Sequence, residues 1–132
     1  MRRAVITGMG IVSCLGNDKT TVTNSLRNGI SGIHRRDDFA EMGLRCNVGG
    51  LIDLDPKDHI DRKVLRFMGD SAAYGYIAAD RAIADAGLSE EMVSNHRTGL
   101  IMGSGGLSGE MFVEAVDVMR ARGIKRAGPY RV

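Results

Sequence analysis

The chain has 132 residues, of which 43% are hydrophobic and 26% charged. This length and composition suit one soluble α/β domain with a core of its own. A formal net charge of +2 does not indicate a nucleic-acid-binding protein, and 2 cysteines are too few for a disulfide scaffold. No signal peptide opens the chain, and no apolar stretch reaches the roughly 18 residues that cross a bilayer, so we expect a cytoplasmic protein that binds no membrane.

The first half of the chain predicts a strand, a helix and an irregular segment. Residues 4–7 (Ala-Val-Ile-Thr) are apolar and partly β-branched, which is typical of a buried strand. Asn17 or Asp18 can cap a helix that ends near Gly29. The glycine-interrupted segment that follows is irregular, with one short strand expected at residues 45–48.

A long amphipathic helix, from about residue 61 to residue 86, is the clearest predicted element. Gly87 follows it in the position typical of a helix C-terminus, while Gly69 and Gly75 indicate a break or a tight contact inside it. Apolar residues recur along one face in steps of three or four: Leu65, Met68, Ala72, Tyr76, Ala79, Ile83 and Ala86.

The last part of the chain predicts a second buried strand at residues 98–102, a flexible turn at 103–109 and a helix at 110–120. Strands that alternate with helices in this way indicate an α/β fold. The final residues carry no capping signal, so we expect residues 1–132 to form an incomplete domain.

Two glycine-rich loops leave a nucleotide-binding α/β domain open as an alternative. Gly8 and Gly10 follow a predicted strand, but the dinucleotide fingerprint needs a third glycine where Ser13 stands. Residues 103–109 could hold a phosphate on backbone amides, yet they lack the Gly-Lys-Ser/Thr ending of a P-loop. Because Leu107 lies in the middle of that loop, an apolar contact or a hydrophobic substrate channel fits it equally well.

No residue forms a recognisable catalytic or metal-binding pattern. Cys14 lies near a possible helix N-terminus, which can activate a thiol, but no histidine stands in a pattern that would supply its base. A small buried side chain is the commoner role of such a cysteine. The three histidines lie in polar contexts typical of a surface and lack metal-ligand spacing, so we expect neither metal nor cofactor.

Cations are clustered where local helix stability does not favour them. Arg62, Lys63 and Arg66 stand in the first turns of the long predicted helix, where the helix dipole disfavours each exposed positive charge by roughly 0.3–1 kcal/mol. Arg62 and Arg66 also repel each other across one turn. An anionic partner would explain the cluster, and a solvated basic face is the alternative. A second cluster comprises Arg120, Arg122, Lys125 and Arg126.

Six sequence blocks, in order along the chain, carry a resemblance to a known family. They are Arg-Ala-Val-Ile-Thr-Gly-Met-Gly from Arg3, Ser-Leu-Arg-Asn-Gly-Ile-Ser-Gly-Ile from Ser25, Ile-Asp-Arg-Lys-Val-Leu-Arg-Phe-Met from Ile60, Ala-Ile-Ala-Asp-Ala-Gly-Leu from Ala82, Gly-Ser-Gly-Gly from Gly103, and Gly-Pro-Tyr from Gly128. Together they resemble the N-terminal part of bacterial β-ketoacyl-[acyl carrier protein] synthases, and the third block resembles the type I enzymes.

The resemblance implies the first part of a thiolase-like fold, a mixed sheet layered with helices, truncated before the dimer-interface and nucleophile elements. It also implies a homodimer that joins an acyl thioester to malonyl-[acyl carrier protein] with loss of CO₂. The family's catalytic cysteine, two histidines and lysine lie beyond Val132, so the segment alone is expected to be inactive. A non-catalytic relative, which only sets chain length or binds carrier protein, remains an alternative.

The resemblance also implies two kinds of site residue. A basic surface for the acidic helix of acyl carrier protein maps onto Arg62, Lys63, Arg66, Arg122 and Lys125, with Arg45 as a weaker member. The stretch from Arg120 is one residue shorter than in the family, which leaves the register of the last two cations open. Gly106 and Leu107 border the acyl pocket at the dimer interface. The side chain of Leu107 replaces a family glycine and should tune acyl-chain length.

Overall fold

The computed structural model describes residues 3–128, and this part of the chain divides into two compact units. The first unit comprises the residues up to Asp55 together with Ala78–Gly87, and the second comprises Pro56–Ile77 together with the residues from Leu88 onward. Pro129 and Tyr130, which end the last of the six sequence blocks, lie outside the described residues.

Helices outnumber strands in the described residues. No helix between residues 3 and 128 is long and apolar enough to cross a membrane. Short 3₁₀ turns occupy Pro56–Asp58 and Ile124–Arg126. The helices and strands are α1 (Lys19–Arg27), β1 (Ile33–Arg35), α2 (Asp37–Glu41), β2 (Val48–Gly50), α3 (Arg62–Leu65), α4 (Asp70–Asp85), α5 (Glu90–Val93) and α6 (Gly109–Arg122).

The first predicted helix is confirmed as α1. The Asp18 carboxylate caps it by accepting a hydrogen bond from the Thr21 backbone N–H at 2.9 Å and another from the Thr21 hydroxyl at 2.6 Å. These hydrogen bonds lower the pKa of Asp18. Val22 and Ser25 form the buried face, and the Ser25 hydroxyl donates to the Leu15 carbonyl at 3.0 Å.

The short strand expected at residues 45–48 lies further along the chain, as β2. It pairs antiparallel with β1, with Ile33 opposite Gly50 and Arg35 opposite Val48. Residue propensity does not predict β2, because two of its residues are glycines and glycine is depleted in strands. A Cβ on Gly50 would lie 2.9 Å from the Cys14 sulfur, so this position needs close backbone approach.

The prediction of two buried strands is wrong, because neither segment forms a regular strand. Residues 4–7 and 98–102 join no ladder among the residues described, and Val5, Ile6 and Ile101 are 79%, 84% and 97% exposed. Their apolar, β-branched composition suits a sheet interior, but a strand also needs a hydrogen-bonding neighbour. Tertiary structure determines whether such a neighbour is present, and the sequence pattern does not predict it.

The long predicted helix is two helices, so its prediction as one element is wrong. α3 ends after a single turn, and α4 begins after the break that Gly69 indicated. A Cβ on Gly69 would lie 2.6 Å from the Ser108 Cβ, and Ser108 caps α6, so the α6 N-terminus packs against the break. Gly87 follows α4 with φ of +64°, which confirms the predicted C-terminus.

The buried face of α4 lies one position away from the predicted stripe. Ala73 and Ile77 are 1% and 4% exposed, whereas Ala72 and Tyr76 of the predicted stripe are exposed. The predicted stripe assumes one continuous helix that includes Leu65 and Met68. Because the helix breaks before α4, the helical periodicity starts anew there, and the predicted positions do not match the buried face.

Close packing of two glycines against α4 organises the first unit. A Cβ on Gly10 would lie 1.8 Å from the Ala78 carbonyl oxygen, and one on Gly8 would lie 2.4 Å from the Ala82 carbonyl oxygen. These glycines therefore let the segment that contains them lie directly on the alanine face of the helix. This contact requires no ligand.

The last predicted helix is confirmed as α6, which is three residues longer than expected. The Ser108 hydroxyl caps its N-terminus by accepting from the Met111 N–H at 3.4 Å. Gly123 ends it with φ of +83° and donates its N–H to the Met119 carbonyl at 2.9 Å.

Candidate functional site

Three exposed cations at α3, Arg62, Lys63 and Arg66, form the group called here the α3 cluster. The Asp61 carboxylate caps this helix by accepting the Lys63 backbone N–H at 2.7 Å. Ile60 precedes the cap and is 5% exposed, so it anchors the segment in the second unit. A buried anchor and a capped turn together hold the three cations at the surface.

The α3 cluster is not neutralised by acidic side chains. No carboxylate within residues 3–128 forms an ion pair with any of its three cations. The Arg66 guanidinium carbon instead lies 4.4 Å from the centre of the Phe67 ring, in a cation–π contact. Val64 and Phe67 are 44% and 43% exposed, so the surface combines positive charge with apolar area.

The structure weakens the helix-dipole argument for this cluster. Because α3 has only four residues, its dipole is small, and Arg66 lies at the C-cap, where a cation is favoured. The predicted cost of placing three cations at the start of a long helix is therefore wrong. What remains is their shared exposure and their lack of ion pairs in the described part of the chain.

A second group of cations, called here the α6 cluster, comprises Arg122, Lys125 and Arg126. Arg122 is the last residue of α6, and the other two lie in the 3₁₀ turn beyond Gly123. Arg122 and Arg126 line a surface cleft, whose wall does not include Lys125. Among residues 3–128, the other lining residues come from α6: Glu114, Asp117, Val118 and Ala121.

The other predicted site residues lie on exposed segments. Arg45 is exposed between α2 and β2, in the first unit, whereas both cation clusters belong to the second. Gly106 and Leu107 lie in the loop before α6, and Leu107 is 70% exposed. The Ser104 hydroxyl shapes this loop by donating to the Gly106 carbonyl at 2.8 Å.

The residues considered above for catalysis, metal binding or nucleotide binding have structural roles or lie at the surface. Cys14 is half-buried, and a Cβ on Gly32 would lie 2.8 Å from its sulfur, so the thiol is closely packed. All three histidines are exposed, as predicted. Among residues 3–128 no group of three or more histidine, cysteine or acidic side chains could hold a metal ion. Gly8 and Gly10 pack on α4 and so do not indicate a nucleotide site.

One contact was missed by sequence reasoning. Lys19, at the start of α1, forms an ion pair with Asp85, at the end of α4. No spacing rule relates two residues 66 positions apart.

The fold of the chain is that of the thiolase-like β-ketoacyl synthases. A β-ketoacyl synthase structure from Burkholderia phymatum STM815 matches with a TM-score of 0.79 and 29% sequence identity, over 99% of this chain and 33% of that one. The expectation of the first part of such a fold is therefore confirmed, although residues 4–7 and 98–102 form no regular strands.

The model of the family described as "Beta-ketoacyl synthase, N-terminal domain" matches residues 1–129. The chain belongs to this family, which confirms the resemblance carried by its sequence blocks. The chain is 53% identical over 133 residues to the 3-oxoacyl-[acyl-carrier-protein] synthase 1 of Haemophilus influenzae (strain ATCC 51907 / DSM 11121 / KW20 / Rd). It is 50% identical over 134 residues to the protein of the same name from Escherichia coli (strain K12).

Both of these relatives match along the whole of this chain, but the chain spans only 33% of their length.

Proposed function

We propose that this chain is the N-terminal third of a condensing enzyme of fatty acid synthesis. The complete enzyme joins an acyl thioester to malonyl-[acyl carrier protein] with loss of CO₂ and releases 3-oxoacyl-[acyl carrier protein]. The observation that carries this proposal is identity of 50% or more, along the whole chain, to two proteins named 3-oxoacyl-[acyl-carrier-protein] synthase 1. A cytoplasmic location of the enzyme is part of this proposal.

Within that enzyme, the α3 cluster together with Arg122 and Lys125 is proposed to bind the carrier protein, with Arg45 as a weaker contributor. The names of the relatives include the partner, acyl carrier protein. The family resemblance implies that the docking helix of this partner is acidic. Exposed cations without ion pairs among residues 3–128 can attract such a partner at long range. The apolar area of Val64 and Phe67 adds a non-polar contact beside the charges.

Gly106 and Leu107 are proposed to border the acyl pocket, where a second copy of the chain completes the wall in a homodimer. Their loop is exposed, and a Cβ on Gly106 would meet no atom within 4 Å. This open space leaves room for an acyl chain or a partner surface. No metal or cofactor is needed for the proposed condensation, since a cysteine thioester and carbanion attack can carry it.

The decisive experiment is a condensation assay on the full-length synthase that begins with these residues. Purified enzyme, acyl-[acyl carrier protein] and malonyl-[acyl carrier protein] should yield 3-oxoacyl product and CO₂ in equal amounts. Carrier-protein binding without CO₂ release, in an enzyme lacking a downstream cysteine and two histidines, would instead identify a non-catalytic relative. Micromolar binding of NAD(P)H would support the nucleotide-binding alternative.

A further inference from the structure

The loop that carries Leu107 ends at a contact between the beginnings of two helices. Gly69 precedes α4, and its carbonyl accepts a hydrogen bond from the Ala73 N–H at 3.0 Å. Ser108 caps α6. A Cβ on Gly69 would lie 2.6 Å from the Ser108 Cβ and 2.8 Å from its hydroxyl oxygen. Carbon atoms pack best at about 3.5–4.0 Å, so the two helix starts fit together in this way only because residue 69 has no side chain.

The other end of the loop touches α4 through a contact that can adapt. A Cβ on Gly75 would lie 3.1 Å from the Met102 Cε, which is the far end of a flexible side chain. Between these two ends, residues 103–107 are exposed, and a Cβ on any of their three glycines would meet no atom within 4 Å. The contact at Ser108, which involves a Cβ and not a flexible end, therefore sets the position of the loop.

A displacement of Ser108 also moves Leu107, because the two residues are neighbours in the chain. Leu107 is 70% exposed, so it has little packing of its own to hold it in place. A methyl group on residue 69 would have to push Ser108 away by about 1 Å to reach an ordinary contact distance. This shift is close to the length of one carbon–carbon bond, and pockets discriminate between substrates that differ by one methylene.

We propose that Gly69 is a positioning residue for acyl-chain selection, which seats Ser108 and, through it, Leu107 at the border of the acyl pocket. This inference deepens the proposed function, because it assumes that Leu107 borders that pocket. Gly69, Ser108 and Leu107 all belong to the second unit, so the contact is internal to one compact body. The absent side chain at residue 69 thus contributes to specificity from outside the loop.

Competition assays on the full-length synthase test this role. Gly69→Ala should change the ratio of kcat/KM for two acyl-[acyl carrier protein] substrates of successive chain length by about tenfold, the lower end of discrimination by one methylene. This ratio does not depend on the amount of folded enzyme, so a loss of stability alone does not alter it. Gly109→Ala is the matched control, since Gly109 follows Ser108 but a Cβ there meets no atom within 4 Å. It should leave the ratio unchanged.

Two double variants test whether Gly69 acts through Ser108 and Leu107. Adding Ser108→Gly to Gly69→Ala removes the side chain that the new methyl group meets, so the ratio should return most of the way to that of the wild type. In a Leu107→Gly background, Gly69→Ala should have no effect on the ratio, because no side chain is left to move. If Gly69→Ala does not fold, Ser108→Gly alone should alter the ratio, since it removes the same contact from the other side.

An unchanged ratio in folded Gly69→Ala, or in Ser108→Gly where Gly69→Ala does not fold, would overturn the proposal. An undiminished effect of Gly69→Ala in the Leu107→Gly background would do the same. If Leu107→Phe nevertheless alters the ratio, only this inference fails. If Leu107→Phe has no effect either, the proposed pocket border fails as well.

Discussion

Lys19 and Asp85 join the beginning of α1 to the end of α4 through an ion pair between the ammonium and carboxylate groups. The same carboxylate accepts a hydrogen bond from the Met9 backbone N–H at 2.9 Å. Asp85 thus holds three separate segments of the first unit, including the glycine-containing segment that packs on α4.

The first prediction concerns the pH dependence of this contact. The hydrogen bond from Lys19, and then that from Met9, hold the pKa of Asp85 below its ordinary value of 3.8. A carboxylate with a depressed pKa stabilises the fold above its unfolded pKa, and this stabilisation is lost as pH falls through the folded pKa. Asp85→Asn should therefore lower the melting temperature of the full-length protein at pH 7. The difference from wild type should shrink below pH 3.8. A difference that is constant with pH would contradict this role.

The second prediction concerns Gly10. An alanine there would place its Cβ 1.8 Å from the Ala78 carbonyl oxygen, so the segment must leave the helix face. Gly10→Ala should destabilise the full-length protein by about 3 kcal/mol, at the upper end of overpacking effects. The matched control is Gly99→Ala, where a Cβ meets no atom within 4 Å. Chemical denaturation measures both, and equal midpoints would show that the close packing is absent.

The third prediction concerns the α3 cluster. Reversing Lys63 and Arg66 to glutamate should weaken carrier-protein binding strongly at low salt and little at high salt, because salt screens exposed charges. The double variant Arg27→Glu and Arg97→Glu makes the same change of net charge at exposed cations outside the proposed surface. Calorimetric titration at two salt concentrations separates the cases. Unchanged low-salt affinity in the α3 variant would refute docking at this cluster.

The fourth prediction concerns Leu107. If its side chain borders the acyl pocket, Leu107→Phe should shorten the longest acyl chain that the synthase elongates, and Leu107→Ala should lengthen it. Mass spectrometry of the products formed from a mixture of acyl-[acyl carrier protein] substrates measures this distribution. Phe112→Leu serves as a control, since Phe112 lies outside the loop and is also exposed. The same product distribution in all variants would remove Leu107 from the pocket.

The fifth prediction concerns the segment expressed alone. Among residues 3–128 the buried hydrophobic side chains are Val22, Ile60, Ala73, Ile77 and Ala115, and two of these are alanines. Apolar segments at residues 4–7 and 98–102 remain exposed and unpaired. Isolated residues 1–132 should therefore aggregate or melt without cooperativity. A sharp calorimetric transition in the soluble segment would show that its small core suffices.

Local signals in the sequence predicted the elements whose ends depend on nearby residues. Asp18 caps α1 through Thr21, three residues away, and Gly87 and Gly123 end their helices with a backbone conformation that glycine adopts easily. The family was also recognisable from sequence alone, because its blocks occur in order along the chain. These features depend on neighbours in the chain, and sequence displays neighbours directly.

Only the tertiary structure decided the features that depend on distant partners. The apolar residues at 4–7 and 98–102 suit a strand, but pairing requires a neighbour that periodicity cannot supply. The break between α3 and α4 occurs where Ser108 meets Gly69, 39 positions away in the chain. The same limit applies to the α6 cleft, which Arg122 and Arg126 line and Lys125 does not. Cations can be counted in a sequence, but the path of the backbone determines which of them share a surface.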